Sequence, residues 1–173
     1  KGGIYSTLDG GENWTRFQVP YFENNYLSKI YFTNRDKGFV FGTYDTLLYT
    51  TNGGIFWNKS HIAGYNYIWD VHFPTRDIGY AVGQAGTIYK SVNGGISWSV
   101  ISTNISFNIH SVFFLNESIG FCGSSSAGLW KTTNGGVTWS VVNDQVSVRE
   151  ITFPNALVGY ATVSYTHLTL PTI

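Results

Sequence analysis

The sequence predicts an all-β chain folded as a partial β-propeller of four-stranded antiparallel blades, on three observations. A Ser/Thr-x-Asp/Asn-Gly-Gly-x-x-Trp motif occurs four times, over Thr7–Trp14, Thr50–Trp57, Ser91–Trp98 and Thr132–Trp139, so its tryptophans stand 43, 41 and 41 residues apart. An aliphatic-x-Phe step followed by a Gly-aromatic step recurs in phase between the motifs. Aromatic residues make up 17% of the chain against 12% charged, with 20 glycines, a balance that suits short strands, tight turns and sheets buried on both faces. Four short strands in each unit of about 41 residues, repeated, is the signature of propeller blades.

Each unit divides into strands A to D. Strand A ends in the aliphatic-x-Phe step, as Ile30 and Phe32, Val71 and Phe73, Val112 and Phe114, and Ile151 and Phe153. This period of two puts both residues on one face of a strand. Strand B opens at Gly38, Gly79, Gly120 and Gly159, each followed by Phe or Tyr. Strand C is the run that ends at the Ser or Thr of the motif, and strand D carries the Trp. Asn-Gly or Asp-Gly between C and D is a strong hairpin signal, because both residues tolerate left-handed φ. No stretch sustains a helical period. The expected units are blades at 26–60, 67–101 and 108–142, flanked by half blades at 1–17 and 147–162. The four tryptophans are expected in equivalent, buried places.

The acidic position of the motif does not read as catalytic. Three of its four copies are Asn52, Asn93 and Asn134, and Asn serves neither as acid nor as base; only Asp9 is a carboxylate. The motif resembles the Asp-box, or BNR repeat, found in sialidases, sortilin-type receptors and xyloglucan-hydrolysing propellers. The longer string from Asp77 to Trp98, Asp-Ile-Gly-Tyr-Ala-Val-Gly-Gln-Ala-Gly-Thr-Ile-Tyr-Lys-Ser-Val-Asn-Gly-Gly-Ile-Ser-Trp, is similar to the repeat of photosystem II stability/assembly factors. That repeat type also occurs in secreted bacterial proteins. The resemblance covers residues 1 to about 162 and implies a propeller. It also implies an extracellular or cell-surface setting.

The pattern breaks after Ala161. Residues 163–173 contain no glycine and no further motif, and they read as a tail outside the repeat. The chain starts at Lys1, inside a repeat, and contains no Met, so it reads as a piece of a longer protein. The two half blades sum to one blade. They either close a four-bladed ring or remain apart as the ends of an arc, and the arc is the expected arrangement.

Net charge is +0, which gives no basic patch for nucleic acid, and no run of eighteen apolar residues offers a membrane-spanning segment. The lone Cys122 forms no internal disulfide and reads as a buried strand residue. His61, His72, His110 and His167 show no metal-ligand spacing, and His72 stands in register with Tyr31 and Phe113 as the substitute for a packed aromatic. No cofactor or metal is expected.

Candidate ligand contacts come from strand A, where two adjacent positions vary within a constant frame. The first reads Ser28, Trp69, His110 and Arg149; the second reads Lys29, Asp70, Ser111 and Glu150. A binding surface needs such variation, and relaxed solvent-facing positions also produce it. Trp69, His110, Arg149 and Asp70 are the contacts singled out. Rings in the D-to-A connections (Tyr21, Phe22 and Tyr26; His61, Tyr65 and Tyr67) either stack on sugars or peptides or cap the apolar layers.

Three functions follow as expectations. The first is a non-catalytic binding or scaffold module of a secreted or cell-surface bacterial protein, with a protein or carbohydrate ligand. The second is a fragment of a glycoside hydrolase or sialidase-like propeller, for which Asp70 and Glu150 are the only carboxylate pair at matching positions. Four dispersed arginines, Arg16, Arg35, Arg76 and Arg149, make a poor sialidase carboxylate clamp. The third is a photosystem II assembly factor-like protein.

Overall fold

Strand alternation and Gly-rich turns convert into sheets in the order the repeat dictates. In the computed structural model, residues 3–17, 26–43, 46–62, 64 and 66–164 are described. The first hairpin joins β1 (Ile4–Ser6) to β2 (Thr15–Phe17). A four-stranded antiparallel sheet follows in the order β3 (Leu27–Phe32), β4 (Gly38–Gly42), β5 (Leu47–Thr50) and β6 (Asn58–Lys59). The next sheet contains β8 (Ile68–His72), β9 (Gly79–Gly83), β10 (Ile88–Ser91) and β11 (Ser97–Ile101). Ahead of it in sequence, β7 (His61–Ile62) adds a fifth, parallel strand on the outer edge of β11. A third sheet holds β12 (Ile109–Phe114), β13 (Gly120–Ser124), β14 (Gly128–Thr132) and β15 (Ser140–Asn143), and a last pair holds β16 (Ser147–Asn155) and β17 (Val158–Ser164). The only helical element among the described residues is a single 3-10 turn at Gln84–Gly86. The chain is therefore all-β, a partial propeller whose inner strands β3, β8, β12 and β16 pack side by side.

The C–D turns are closed by side chains. Thr7, Thr50, Ser91 and Thr132 each accept the N–H of the second motif glycine, at 2.7–3.0 Å. Each also donates its hydroxyl to Asp9, Asn52, Asn93 or Asn134. That Asp or Asn oxygen in turn accepts the N–H four residues on, from Asn13, Phe56, Ser97 or Thr138. All eight motif glycines have positive φ, the left-handed region in which a Cβ is costly. Around Asp9, the hydrogen bonds from the Asn13 N–H, the Thr7 hydroxyl and the Asn13 side chain hold the carboxyl well below its usual range. This first turn is therefore supported by the carboxylate at neutral pH and loses that support only in strong acid.

Strand B must open on glycine because the strand-A Phe ring lies across that position. A Cβ added to Gly38 or Gly79 would stand 2.6 Å from the ring of Phe32 or Phe73. The same ring faces the preceding blade. Phe73 stacks on Phe39 with centroids 5.1 Å apart, and Phe114 stacks on Tyr80. Trp98 then meets Phe41 and Phe73 edge-on, both at 5.7 Å, and Trp139 meets Phe114 the same way. Cys122 is fully buried in this layer, and burial pushes its thiol upward, out of reactive range.

The tryptophans are not equivalent in burial, which corrects the sequence expectation. Trp98 is 7% exposed and Trp139 5%, whereas Trp57 is half-buried and Trp14 is 59% exposed. The cause is the neighbour. A motif Trp is enclosed by strand A of its own sheet and strand B of the preceding one. Trp98 and Trp139 have both, Trp57 has its own Phe32 but no preceding strand B, and Trp14 has neither among the described residues. Likewise, β1 pairs only with β2 and β17 only with β16, so among the described residues no ladder joins the two end pairs. β17 also runs through Ser164, two residues past the expected limit of the repeat. The rest of the tail, 165–173, lies outside the described residues, as do Tyr21, Phe22, Tyr65 and the His61 side chain.

Polar bonds also cross between blades. His72 packs against Phe113, centroids 4.3 Å apart, and its Nδ1 accepts the Phe114 N–H at 3.2 Å. That bond needs an unprotonated Nδ1. Burial pushes the imidazole below its ordinary value of 6.5, against an opposing pull from Asp70.

Two outcomes follow. Trp98→Ala should cost about 3–5 kcal/mol in denaturant unfolding, as large aromatic truncations in cores do. Trp14→Ala should cost about 0.5 kcal/mol or less, as at exposed sites; equal losses would refute the neighbour account. The second concerns acid. His72 takes up a proton on unfolding, so its contribution to stability is whole above about pH 6.5 and erodes as pH falls below that value. Unfolding free energies at about pH 7.5 and about pH 5 should differ less in His72→Phe than in the parent chain. An unchanged slope would assign the titration elsewhere.

Candidate functional site

The inner strands share a defect in pairing, and it falls on the variable position. Leu27 pairs with Gly42 and Lys29 with Phe41, which leaves Ser28 without a partner. The same slip leaves out Trp69, between Ile68 and Asp70, and His110, between Ile109 and Ser111. In β16 it leaves out Arg149, between Val148 and Glu150. A β-bulge inserts one residue that the neighbouring strand does not match, and it re-aims that side chain. Strand B ends on glycine at Gly42 and Gly83 because the backbone carbonyls of Tyr26 and Tyr67 lie where a Cβ would be. One device is thus repeated four times, with a different side chain presented each time.

The presented side chains fall into two groups. Ser28 is committed to the chain: its hydroxyl donates to the Ile68 carbonyl at 2.6 Å in the neighbouring blade. Trp69, His110 and Arg149 form a row. The Trp69 and His110 rings stack, with centroids 4.7 Å apart and planes 24° from parallel. His110 Nε2 lies 3.0 Å from Ser125 Oγ, in the turn between β13 and β14. Burial, and secondarily the positive charge of Arg149, hold His110 below its ordinary value, so it is neutral at pH 7. Arg149 is exposed and has no ion pair or hydrogen bond among the described residues. The row therefore offers a stacked aromatic platform, a neutral imidazole and a free guanidinium.

The adjacent position does different work. Asp70 is 7% exposed, and its carboxylate accepts from the Lys29 ammonium at 2.7 Å, the Val112 N–H at 3.0 Å and the Ser111 hydroxyl at 3.2 Å. Ser111 Oγ then accepts the Ile151 N–H at 3.0 Å. Lys29, Asp70 and Ser111 thus link all four inner strands in sequence. Both oxygens of Asp70, counted at the outset among the ligand contacts, are engaged by the chain itself. Asp70 and Glu150 do not face each other, because β12 with Ser111 stands between them. Among the described residues no three His, Cys, Asp or Glu side chains gather as a metal site.

Sequence reasoning picked out Trp69, His110 and Arg149 as variable positions. It missed the bulge that groups them and it missed Ser125. The bulge leaves no mark in composition or alternation; its one signal is a pair of variable residues, the bulged one first, ahead of a constant step. The connector ring Tyr26 does not join the row through any ring contact among the described residues. Tyr26 is exposed, and the Tyr67 backbone carbonyl accepts the Gln84 N–H.

Comparison with known proteins places this architecture. The sequence model of the family described as photosynthesis system II assembly factor YCF48 matches residues 56–150. No curated protein sequence matches the chain. Among solved structures, an ancestral GH74 enzyme superposes with a TM-score of 0.75 at 25% identity, covering 95% of this chain and 25% of its own. A YCF48 bound to D1 peptide gives 0.58 at 22% identity, covering 66% of this chain and 38% of that one. YCF48 from Cyanidioschyzon merolae gives 0.54 at 12% identity, covering 94% and 72%. The chain thus spans about a quarter of the GH74 enzyme and well under half of the peptide-bound YCF48. Likenesses at such identities speak to the fold; membership rests on the family match, which takes in more than half of the chain, and on the repeated blade it describes. The chain belongs to the photosynthesis system II assembly factor YCF48 family of β-propeller proteins.

Proposed function

We propose that this chain is a non-catalytic binding module that takes an extended peptide across the row Trp69, His110 and Arg149. The observation that carries this reading is the repeated bulge, which holds a varied row of side chains on a constant frame. An aromatic platform beside an unpaired guanidinium suits a peptide carrying an apolar or aromatic side chain next to a carboxylate. Trp and Arg are also the residue types that dominate binding energy at protein interfaces. The peptide bound to a structurally similar YCF48 supports the class of ligand.

Glycoside hydrolysis is the second reading, favoured by the overlay on an ancestral GH74 enzyme. Against it stands the engagement of Asp70 with Lys29, Ser111 and Val112, which leaves Glu150 as the one uncommitted member of the expected carboxylate pair. A general acid or base must reach the bond it serves.

An array of synthetic peptides, followed by titration of the best binder, tests the proposal. Trp69→Ala and Arg149→Ala should each weaken binding by about 2 kcal/mol, roughly thirty-fold, while leaving the unfolding midpoint unchanged. Retention of full affinity in both variants would overturn the assignment of the row. Hydrolysis of xyloglucan, β-glucans or sialosides that disappears in Asp70→Asn would replace the binding reading with the enzymatic one.

A further inference from the structure

We infer that Asn52 is a site of spontaneous deamidation in the folded chain, and that the fold protects its two counterparts, Asn93 and Asn134, from the same reaction. All three sit in an identical Asn-Gly-Gly string. Glycine after Asn favours the reaction, because no side chain hinders approach of the backbone nitrogen. The Gly N–H loses its proton to solvent base, and the nitrogen attacks Asn Cγ. The Cγ–Nδ2 bond breaks, and ammonia leaves with a proton taken from water. The resulting succinimide is opened by a water molecule at either carbonyl, giving aspartate or isoaspartate.

Two structural features separate Asn52 from the others. The first is the side-chain amide. Asn93 Nδ2 donates to Ser97 Oγ at 2.8 Å, and Asn134 Nδ2 donates to Thr138 Oγ1 at 2.8 Å. In the first blade that position is Phe56, which has no acceptor, and Asn52 Nδ2 has no partner among the described residues. The second is cover. The attacking nitrogen is tied to a carbonyl in each turn, Gly53 to Asp36, Gly94 to Asp77 and Gly135 to Ser118, so attack requires the turn to open. Gly94 and Gly135 are buried, and the glycines after them lie under Phe39 and Tyr80 of the preceding blade; Gly53 is exposed. Local opening is easiest where fewest contacts must be broken. Conversion to aspartate is compatible with the turn, since Asp9 already occupies the equivalent place with the same backbone bond. Isoaspartate is not, because it inserts a methylene into a backbone whose hydrogen bonds fix both glycines.

The experiment is incubation of the chain at mildly alkaline pH, followed by proteolysis and mass spectrometry of the three turn peptides over time. Asn52 should convert several-fold faster than Asn93 or Asn134. In urea the three rates should converge, because all three share the Asn-Gly-Gly string that governs the reaction in an unfolded chain. Phe56→Ser, which restores the acceptor found at Ser97 and Thr138, should slow Asn52, and Ser97→Ala should speed Asn93. Equal rates in the folded chain would overturn the inference, as would the same rank order persisting in urea. An unaltered Asn52 rate in Phe56→Ser, with the variant's unfolding midpoint unchanged, would refute the part assigned to the side-chain amide.

Discussion

Between consecutive blades, one aromatic contact recurs and the rest of the architecture is arranged around it. A ring on strand B of one blade stacks on the strand-A Phe of the next, as Phe39 does on Phe73 and Tyr80 on Phe114, and the motif Trp closes the stack edge-on. The geometry sets demands elsewhere. The strand-A ring lies over the first residue of strand B, which must be glycine. The Trp must arrive from strand D at a fixed distance from the turn, and its indole N–H donates to the carbonyl of the second motif glycine, Gly95 or Gly136. The Gly-Gly turn is therefore the device that delivers the ring, and its side-chain hydrogen bonds hold the delivery angle.

Strand A divides its labour between its two faces. Val71 and Phe73 face the preceding blade and contribute to an apolar cluster with Phe39 and Phe41. Asp70 and His72 face the following blade and accept the N–H groups of Val112 and Phe114. Those two backbone groups lie on an inner strand whose paired neighbour is only on one side, so without these acceptors they would be buried donors lacking a partner. A buried carboxylate is costly alone, and Lys29 from the blade before supplies its counter-charge. Apolar stacking and polar links thus run in the same direction around the arc, and each blade completes the one beside it.

The bulges show how a constrained frame leaves room for difference. At the bulged residue the side chain is released from the alternation that packs its neighbours, so Ser28, Trp69, His110 and Arg149 occupy one place without disturbing the interface. One residue further along, the choice is again dictated by the adjoining blade. Two neighbouring positions that vary to a similar degree in sequence therefore carry unlike roles: Trp69, His110 and Arg149 are presented at the first, whereas Lys29, Asp70 and Ser111 are consumed in the interblade relay at the second.

Most of the fold was legible in the chain itself. Four in-phase motifs, the Gly-aromatic starts of strand B and the period-two step of strand A located the strands and the turns, because these features depend on local φ and on alternation. Trp69, His110 and Arg149 were legible as a variable row for the same reason. The tertiary structure alone decided that Asp70 serves the relay, that Trp14 lies open and Trp57 half-buried where Trp98 and Trp139 are enclosed, that Ser125 meets His110, and that Gly53 after Asn52 is left uncovered. Each of these is set by which blade stands beside which. That neighbour relation joins residues about forty positions apart, and no local pattern in the sequence encodes whether a given copy of the repeat has it.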